Sequence, residues 1–314
     1  MRTDAAPRVV VVGESLVDIV HRAGGAVDEA SGGSPANVAL TLGRLGRAPV
    51  LVTRLADDDG GRRVRRWLEE SGVTVDAVTA VRTSTATALL DAGGAATYTF
   101  DLEWDLGDDV ARLAQDVFAS ADLVHLGSVG AVLEPGAGQV AALVRAAHGR
   151  AIITYDPNIR PSLVRDPQVV RDRVDELIGL ADVIKASDED MQWLQPGRDA
   201  IEVAREWVMA GPALVVVTRG ADGATAVTTD AEVVVPAASN HVVDTVGAGD
   251  TFMGALIDGL LARAAGLGLR APGGGIHPDE LEALLRRAAE AAAITVSRPG
   301  ADPPRREELL ARIA

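Results

Sequence analysis

The chain has 314 residues, is 47% hydrophobic but only 3% aromatic, and carries a formal charge of −15 at pH 7. That size suits one large α/β domain, 1–314, with a core packed from Val, Leu, Ile and Ala rather than from rings. The acidic balance excludes a broad surface for nucleic acid, the lack of cysteine excludes disulfides and thiolate chemistry, and no apolar run is long enough for a membrane span.

From Met1 to Arg8 the chain is polar and lacks the apolar stretch of a signal peptide, so a cytoplasmic location is expected. Short β-branched runs then recur: Val9–Val12, Val50–Val52, Leu123–Leu126, Ile152–Tyr155, Val183–Ile184 and Leu214–Val217. Each has Gly, Asp or Ser near its end, the pattern of strands buried on both faces of a parallel sheet. Between them apolar residues recur at helical spacing, as in Val38, Leu42 and Leu45, in Val64, Trp67 and Leu68, and in Leu281, Leu284 and Leu285. This alternation predicts a doubly wound, mostly parallel sheet flanked by helices.

One stretch breaks the pattern. Thr85 to Phe100 holds two β-rich runs around Asp91-Ala-Gly-Gly94, which predicts a hairpin. With Val17–His21 it forms a small β lid, expected from about 15–30 and 83–106. Gly266–Gly275 reads as a surface loop. Lys185 is the only lysine among many arginines, which reads as coding bias rather than as a functional signal.

Two constellations carry chemistry. Asp244-Thr-Val-Gly-Ala-Gly-Asp250 leads into an apolar run through Phe252, Leu256 and Leu260. Its glycines let the amides of Gly247, Ala248 and Gly249 converge, and a helix starting there adds its positive end. The result is an anion hole for a phosphoryl group in flight, with Asp250 placed to accept the proton of an attacking hydroxyl. Taken in isolation, the same four residues also suit a plain helix start capped by an aspartate. The segment is neither a Walker A loop nor a dinucleotide fingerprint, since both spacings are missing. Nearer the start, Gly13-Glu-Ser-Leu-Val-Asp18 follows the first strand, and Gly32-Gly-Ser-Pro-Ala-Asn37 leads into a helix. Asp18 suits two vicinal hydroxyls, Gly32 and Gly33 allow close approach of a sugar ring, and Asn37 both donates and accepts. Alone, Asp18 also reads as a solvated loop carboxylate and Asn37 as a helix-start residue.

These motifs, in this order and separation, resemble the PfkB (ribokinase-like) family of carbohydrate kinases. Asp156-Pro-Asn-Ile-Arg160 resembles its DPNxR element, and Thr218-Arg-Gly-Ala-Asp-Gly-Ala224 its nucleotide-contacting loop. The resemblance implies a ribokinase-like fold, ATP and Mg²⁺, with Asp250 as base and Arg160 near the substrate and transferred phosphate. It further implies nucleotide contacts at Lys185, Ser187, Thr218, Gly220 and Gly223. A monovalent cation, K⁺, is implied at Asp244, with carbonyls around Val246, Thr295, Arg298 and Gly300. The family's NxxE element appears here as Ser187-Asp-Glu-Asp190, so Asp190 is the expected indirect Mg²⁺ partner, with a shorter side chain than the family's.

Gly13–Asp18 together with Gly32–Asn37 looks most like fructokinases, which implies D-fructose phosphorylated on its 6-hydroxyl. The alternatives are a ribokinase or a 2-keto-3-deoxygluconate kinase, and the latter needs an extra arginine, for which Arg82 and Arg160 are the candidates. A sugar-binding regulator without catalysis would not need Asp250. Lid-to-lid pairing in a homodimer is expected from the resemblance, and no nucleic-acid or membrane partner is.

Overall fold

The computed structural model describes residues 6–21, 25–90, 96–238, 241–262, 269 and 276–313. In chain order the elements are β1 (Val9–Val12), β2 (Leu16–His21), β3 (Val27–Gly32), α1 (Ser34–Arg44), β4 (Val50–Leu55), α2 (Asp59–Glu69), β5 (Thr74–Thr79), β6 (Thr85–Leu90) and β7 (Ala96–Asp101). There follow α3 (Val110–Arg112), β8 (Leu123–Gly127), α4 (Gly136–Ala147), β9 (Ile152–Asp156), α5 (Pro167–Ile178), β10 (Val183–Ser187), α6 (Asp188–Leu194) and α7 (Ala200–Ala210). The chain continues with β11 (Leu214–Thr218), β12 (Ala224–Val227), β13 (Glu232–Val235), α8 (Ala248–Ala262), α9 (Pro278–Val296) and α10 (Arg306–Ile313). Every expected strand centre lies in a strand. The turn of the expected hairpin, 91–95, and all of the expected loop at 266–275 except Leu269 fall outside the described residues.

The main sheet runs β13-β12-β11-β10-β9-β8-β1-β4-β5, parallel from β11 to β5 and antiparallel through β12 and β13. All four valines of β1 are buried, as a central strand covered on both faces requires. Burying a side chain of this size is worth roughly 1.5–3 kcal/mol. The chain adds strands on one side of β1 (β4, β5) and then on the other (β8 to β11). The reversal lies between β1 and β8, and ligands of open α/β sheets bind outside the carboxyl ends of strands at such a point.

The second sheet has the order β3-β2-β6-β7 and grows directly from β1 through Gly13, Glu14 and Ser15. Asp18 lies in register with Ala30 of β3 and Ala86 of β6, so these three share one face. The opposite face carries Val17 and Ile19, both packed into the core layer that includes Val64 and Leu68 of α2. Asp58 caps α2, accepting from Gly61 N at 2.7 Å, and also accepts from Thr83 N and Oγ1 at 2.8 and 2.7 Å. It thereby ties the start of β6 to the main body. No helix among the described residues is long and apolar enough to cross a membrane.

Candidate active site

The site begins with two helices that enter it side by side. Both are buried along most of their length, α1 from Ser34 to Leu42 and α8 from Asp250 to Leu260. They approach closely at Gly254, where a Cβ would stand only 2.7 Å from the Thr41 side chain. One turn earlier on each helix, Asn37 therefore meets Asp250. Asn37 Nδ2 donates to Asp250 Oδ2 at 2.8 Å, and Ser34 Oγ donates to Oδ1 at 2.6 Å. Both carboxylate oxygens are oriented by residues more than 200 positions away in sequence. Asn37 Oδ1 is buried without a hydrogen-bond partner among the described residues, an acceptor left over for a ligand hydroxyl.

Gly247, with φ +74°, makes the turn that precedes α8. Of the three amides expected in the anion hole, that of Ala248 already donates to Thr245 O at 3.2 Å. The amides of Gly247 and Gly249 have no such partner among the described hydrogen bonds, as the first turn of a helix leaves them. At this turn the amides of Gly247 and Gly249 are thus unengaged among the described hydrogen bonds, while that of Ala248 is taken. Asp244 closes the loop, accepting from Val246 N at 3.0 Å and from Gly300 N at 2.8 Å. Thr295 O accepts from Arg298 N at 3.0 Å, while the Arg298 side chain is engaged by Glu308 and Asp302. Asp244, Val246 and Gly300 are brought together at this loop.

On the sugar side, Asp18 lies over Gly32, whose Cβ would collide with Asp18 Oδ2 at 2.1 Å. Gly33 is the N-cap of α1 and accepts from Asn37 N at 2.9 Å. Burial pushes the Asp18 carboxyl up to about 6, with the Arg160 charge pulling the other way. Glu14 is fully enclosed and is raised to about 7 by the same burial, against hydrogen bonds from Ser128 and the Gly130 amide at 2.8 Å. Arg160 acts on both carboxyls while its Nη1 donates to Asn158 Oδ1 at 2.6 Å. A cavity of about 450 Å³ opens beyond Arg160 against Trp104, Ser128, Val129 and Leu133. Neither Asp18 nor Asp250 lines it.

The expected nucleotide residues follow the strand ends. Ser187 and Thr218 are neighbours in register at the ends of β10 and β11. Gly220 opens a short 3₁₀ turn with free space at its Cα, while a Cβ on Gly223 would stand 2.1 Å from the Val235 carbonyl. Asp190 completes a capping box with Ser187 on α6, accepting from Ser187 N and Oγ at 2.9 and 2.7 Å, and from Ile159 N at 2.7 Å. The serine and aspartate thus replace asparagine and glutamate as a short cap.

Lys185 Nζ is buried and lies 2.8 Å from Asp156 Oδ2. A Cβ on Gly249 would stand 3.1 Å from that nitrogen, so the ammonium sits beside the turn that opens α8. Burial works against its charge, but Asp156, Asp190 and Asp250 outweigh it, and the lysine is held above its ordinary value. Asp156 is pushed up to about 7 by burial, with Lys185 opposing.

Sequence reasoning missed Ser34, Glu14 and Asp156 as parts of this network. Ser34 stands beside the Gly33 cap, where a serine reads as a helix-start residue. Trp104 is buried in the core, and its Nε1 donates to Gly130 O at 2.9 Å.

The chain matches the model of the pfkB family carbohydrate kinases over residues 6–308. It is 33% identical to a fructokinase of Klebsiella pneumoniae over 284 residues, 88% of either chain. A fructokinase of Xylella fastidiosa with bound ATP superposes with a TM-score of 0.87 at 28% identity, covering 98% of both chains. A ribokinase of Thermotoga maritima shares the fold alone, with a TM-score of 0.76 at 22% identity over 98% of this chain and 99% of that one. The chain belongs to the pfkB family of carbohydrate kinases.

Proposed function

We propose that the protein transfers the γ-phosphoryl group of ATP to the primary 6-hydroxyl of D-fructose. The observation that carries this reading is the Asp250 carboxylate, fixed by Ser34 and Asn37 at the mouth of the Gly247–Gly249 turn. A hydroxyl reaching Asp250 gives up its proton as its oxygen attacks phosphorus, and the amides of Gly247 and Gly249 meet the charge on the phosphoryl oxygens. Asp18 accepts from two sugar hydroxyls, Asn37 Oδ1 takes a third, and Arg160 stands between the sugar and the incoming phosphate.

Mg²⁺ fits this site as a companion of the nucleotide phosphates. Among the described residues no three carboxylate, histidine or cysteine groups form a metal cage, yet Asp190 and Asp250 lie within electrostatic reach of one ammonium. That donor set suits an ion bound through waters and phosphates, with Asp190 as its outer partner, and the ion would supply neutralisation of the phosphate charge. K⁺ is assigned to the loop closed by Asp244, where oxygen donors near Val246, Thr295 and Gly300 suit a monovalent ion.

A neutral sugar is favoured over ketodeoxygluconate. Arg82, one of the two candidates for the extra arginine a carboxylate substrate would need, donates to both oxygens of Asp101 at 2.7 and 2.6 Å. Arg160 is shared with Asp18 and Glu14. Pairing of two lids is assigned to the row Val27, His21 and Leu89, in register across β3, β2 and β6, where Val27 and Leu89 are half exposed. ATP supply fits the expected cytoplasmic location.

The test is an ADP-release assay with fructose, ribose and ketodeoxygluconate side by side. Fructose should give the highest kcat/KM. Preference for either alternative would overturn the assignment, and fructose binding without any turnover would favour a regulator.

A further inference from the structure

The cavity of about 450 Å³ beyond Arg160 is lined by neither Asp18 nor Asp250. Its volume falls within the range of small-molecule sites, about 300–1,000 Å³. The floor is apolar and fixed, since Trp104, Val129, Ile159 and Val170 are all buried. The Trp104 ring is held in place by its Nε1 bond to Gly130 O at 2.9 Å. Leu133 and Val164 are half-buried along the sides.

Two guanidinium groups stand on this lining with donors to spare. Arg160 gives Nη1 to Asn158 Oδ1 at 2.6 Å and to the carbonyls of Asn158 and Ile159, both at 3.2 Å. Its Nε and Nη2 make no hydrogen bond among the described residues. Arg165, exposed at the rim, has neither hydrogen bond nor ion pair among them. The four carboxylates of the lining are engaged instead. Arg54 holds Glu103 at 2.9 Å and Arg173 holds Glu134 at 2.8 Å, while Asp105 accepts from Gly107 N at 2.8 Å and Asp166 from Gln168 N at 2.9 Å. Free guanidinium edges in an apolar hollow select a negative group, and the surrounding carboxylates repel any charge beyond the first. The backbone points the same way. Among the described residues only three other than glycine have positive φ, and two of them, Ser128 (φ 53°) and Asn158 (φ 40°), line this cavity. Ser128, with ψ −146°, holds a conformation that a side chain strains, and such strain gathers at ligand sites.

We propose that this cavity is a regulatory site for a small apolar monoanion, a ring or branched carbon body bearing one carboxylate, with that carboxylate at Arg160 and the rim charge of Arg165 drawing it in. Arg160 is common to this site and to the sugar side, since its charge also acts on Asp18. A carboxylate that draws on Arg160 leaves Asp18 with less support, so occupation weakens sugar binding without blocking it. By linkage the sugar weakens the anion by the same factor.

The test uses the full chain with 2-naphthoate as the probe and uncharged 2-naphthamide beside it. Calorimetry should give naphthoate a Kd below about 1 mM, with the amide at least about tenfold weaker. Val169, on α5 at the edge of the cavity, is 55% exposed, so Val169→Trp fills the opening without disturbing the core. That variant should lose naphthoate binding and keep wild-type sugar turnover. Arg165→Gln should weaken naphthoate, most at low ionic strength. With saturating ATP and the sugar that the enzyme phosphorylates fastest, rising naphthoate should increase the sugar KM by about fivefold or more and then level off. A probe that binds no better than its amide, or that binds Val169→Trp as well as wild type, would overturn the proposal. So would a sugar KM that stays unmoved, or one that climbs without limit as in direct competition. The calorimetric arms need no turnover, so they stand apart from the choice of fructose as acceptor.

Discussion

Asp18 and Glu14 show how one short segment after β1 places two carboxyls in different roles. Asp18 is pushed up to about 6 by burial. Its proposed role, accepting from two sugar hydroxyls through both oxygens, needs the ionised form, so kcat/KM for the sugar should fall by about tenfold per pH unit below that value. Asp18→Ala should weaken sugar binding by roughly 1–3 kcal/mol and leave ATP affinity almost unchanged. Calorimetry showing unaltered sugar affinity would mean the pocket lies elsewhere. Glu14 is enclosed, and burial raises it from 4.5 to about 7. The folded chain therefore holds this proton more tightly than the unfolded one. The resulting stability is complete below about 4.5 and is lost as pH rises through about 7. Glu14→Gln, which keeps an acceptor for the Gly130 amide, should stabilise the protein at pH 8 by on the order of 2–3 kcal/mol and much less at pH 5. Urea midpoints at the two pH values give the answer, and an equal change at both would contradict it.

At the level of elements, the strands of the main sheet were legible because each is a β-branched run buried on both faces. β3 was harder to see. Its sequence, Val27-Asp-Glu-Ala-Ser-Gly32, is an exposed edge whose charged side chains read as a loop. The strands β12 and β13 were also missed, since their pairing is antiparallel and breaks the strand–helix rhythm. The motif residues Asp250, Asp18 and Asn37 were legible from glycine spacing, whereas Ser34, Glu14 and Asp156 were not. Their roles arise from contacts between distant elements, and a lone Ser or Asp carries no sign of its partner. The lid is the element whose function is most open to test. A two-stranded hairpin is marginal alone, and here β2 and β3 extend it to four strands. Deleting residues between Leu89 and Thr97 should raise the sugar KM and increase ATP hydrolysis without sugar transfer, since closure excludes water. The thermal midpoint should change little because β1 and the main sheet are untouched. Wild-type values for both kinetic quantities would show that this segment is neither lid nor clasp.

Across the whole molecule, the site is assembled from segments that sequence keeps far apart. The β1–β8 switch point opens the crevice, β2 carries Asp18 out toward the lid, and β9 and β10 bring Asp156 and Lys185 beneath the turn before α8. The close crossing of α1 and α8 at Thr41 and Gly254 then sets Ser34 and Asn37 against Asp250. That convergence gives one carboxylate a fixed direction beside the turn that opens α8, and the account rests on its taking the proton of the acceptor hydroxyl. The most direct test is turnover by Asp250→Asn, measured with fructose and ATP alongside calorimetric binding of both. The amide preserves size and the hydrogen bond from Ser34 or Asn37 but accepts no proton at neutral pH. A loss in kcat on the order of 10²–10⁴-fold with sugar and nucleotide affinities within a few-fold of wild type is expected. A variant that keeps about a third of the wild-type kcat would contradict the account and leave Asp250 as no more than the cap of α8.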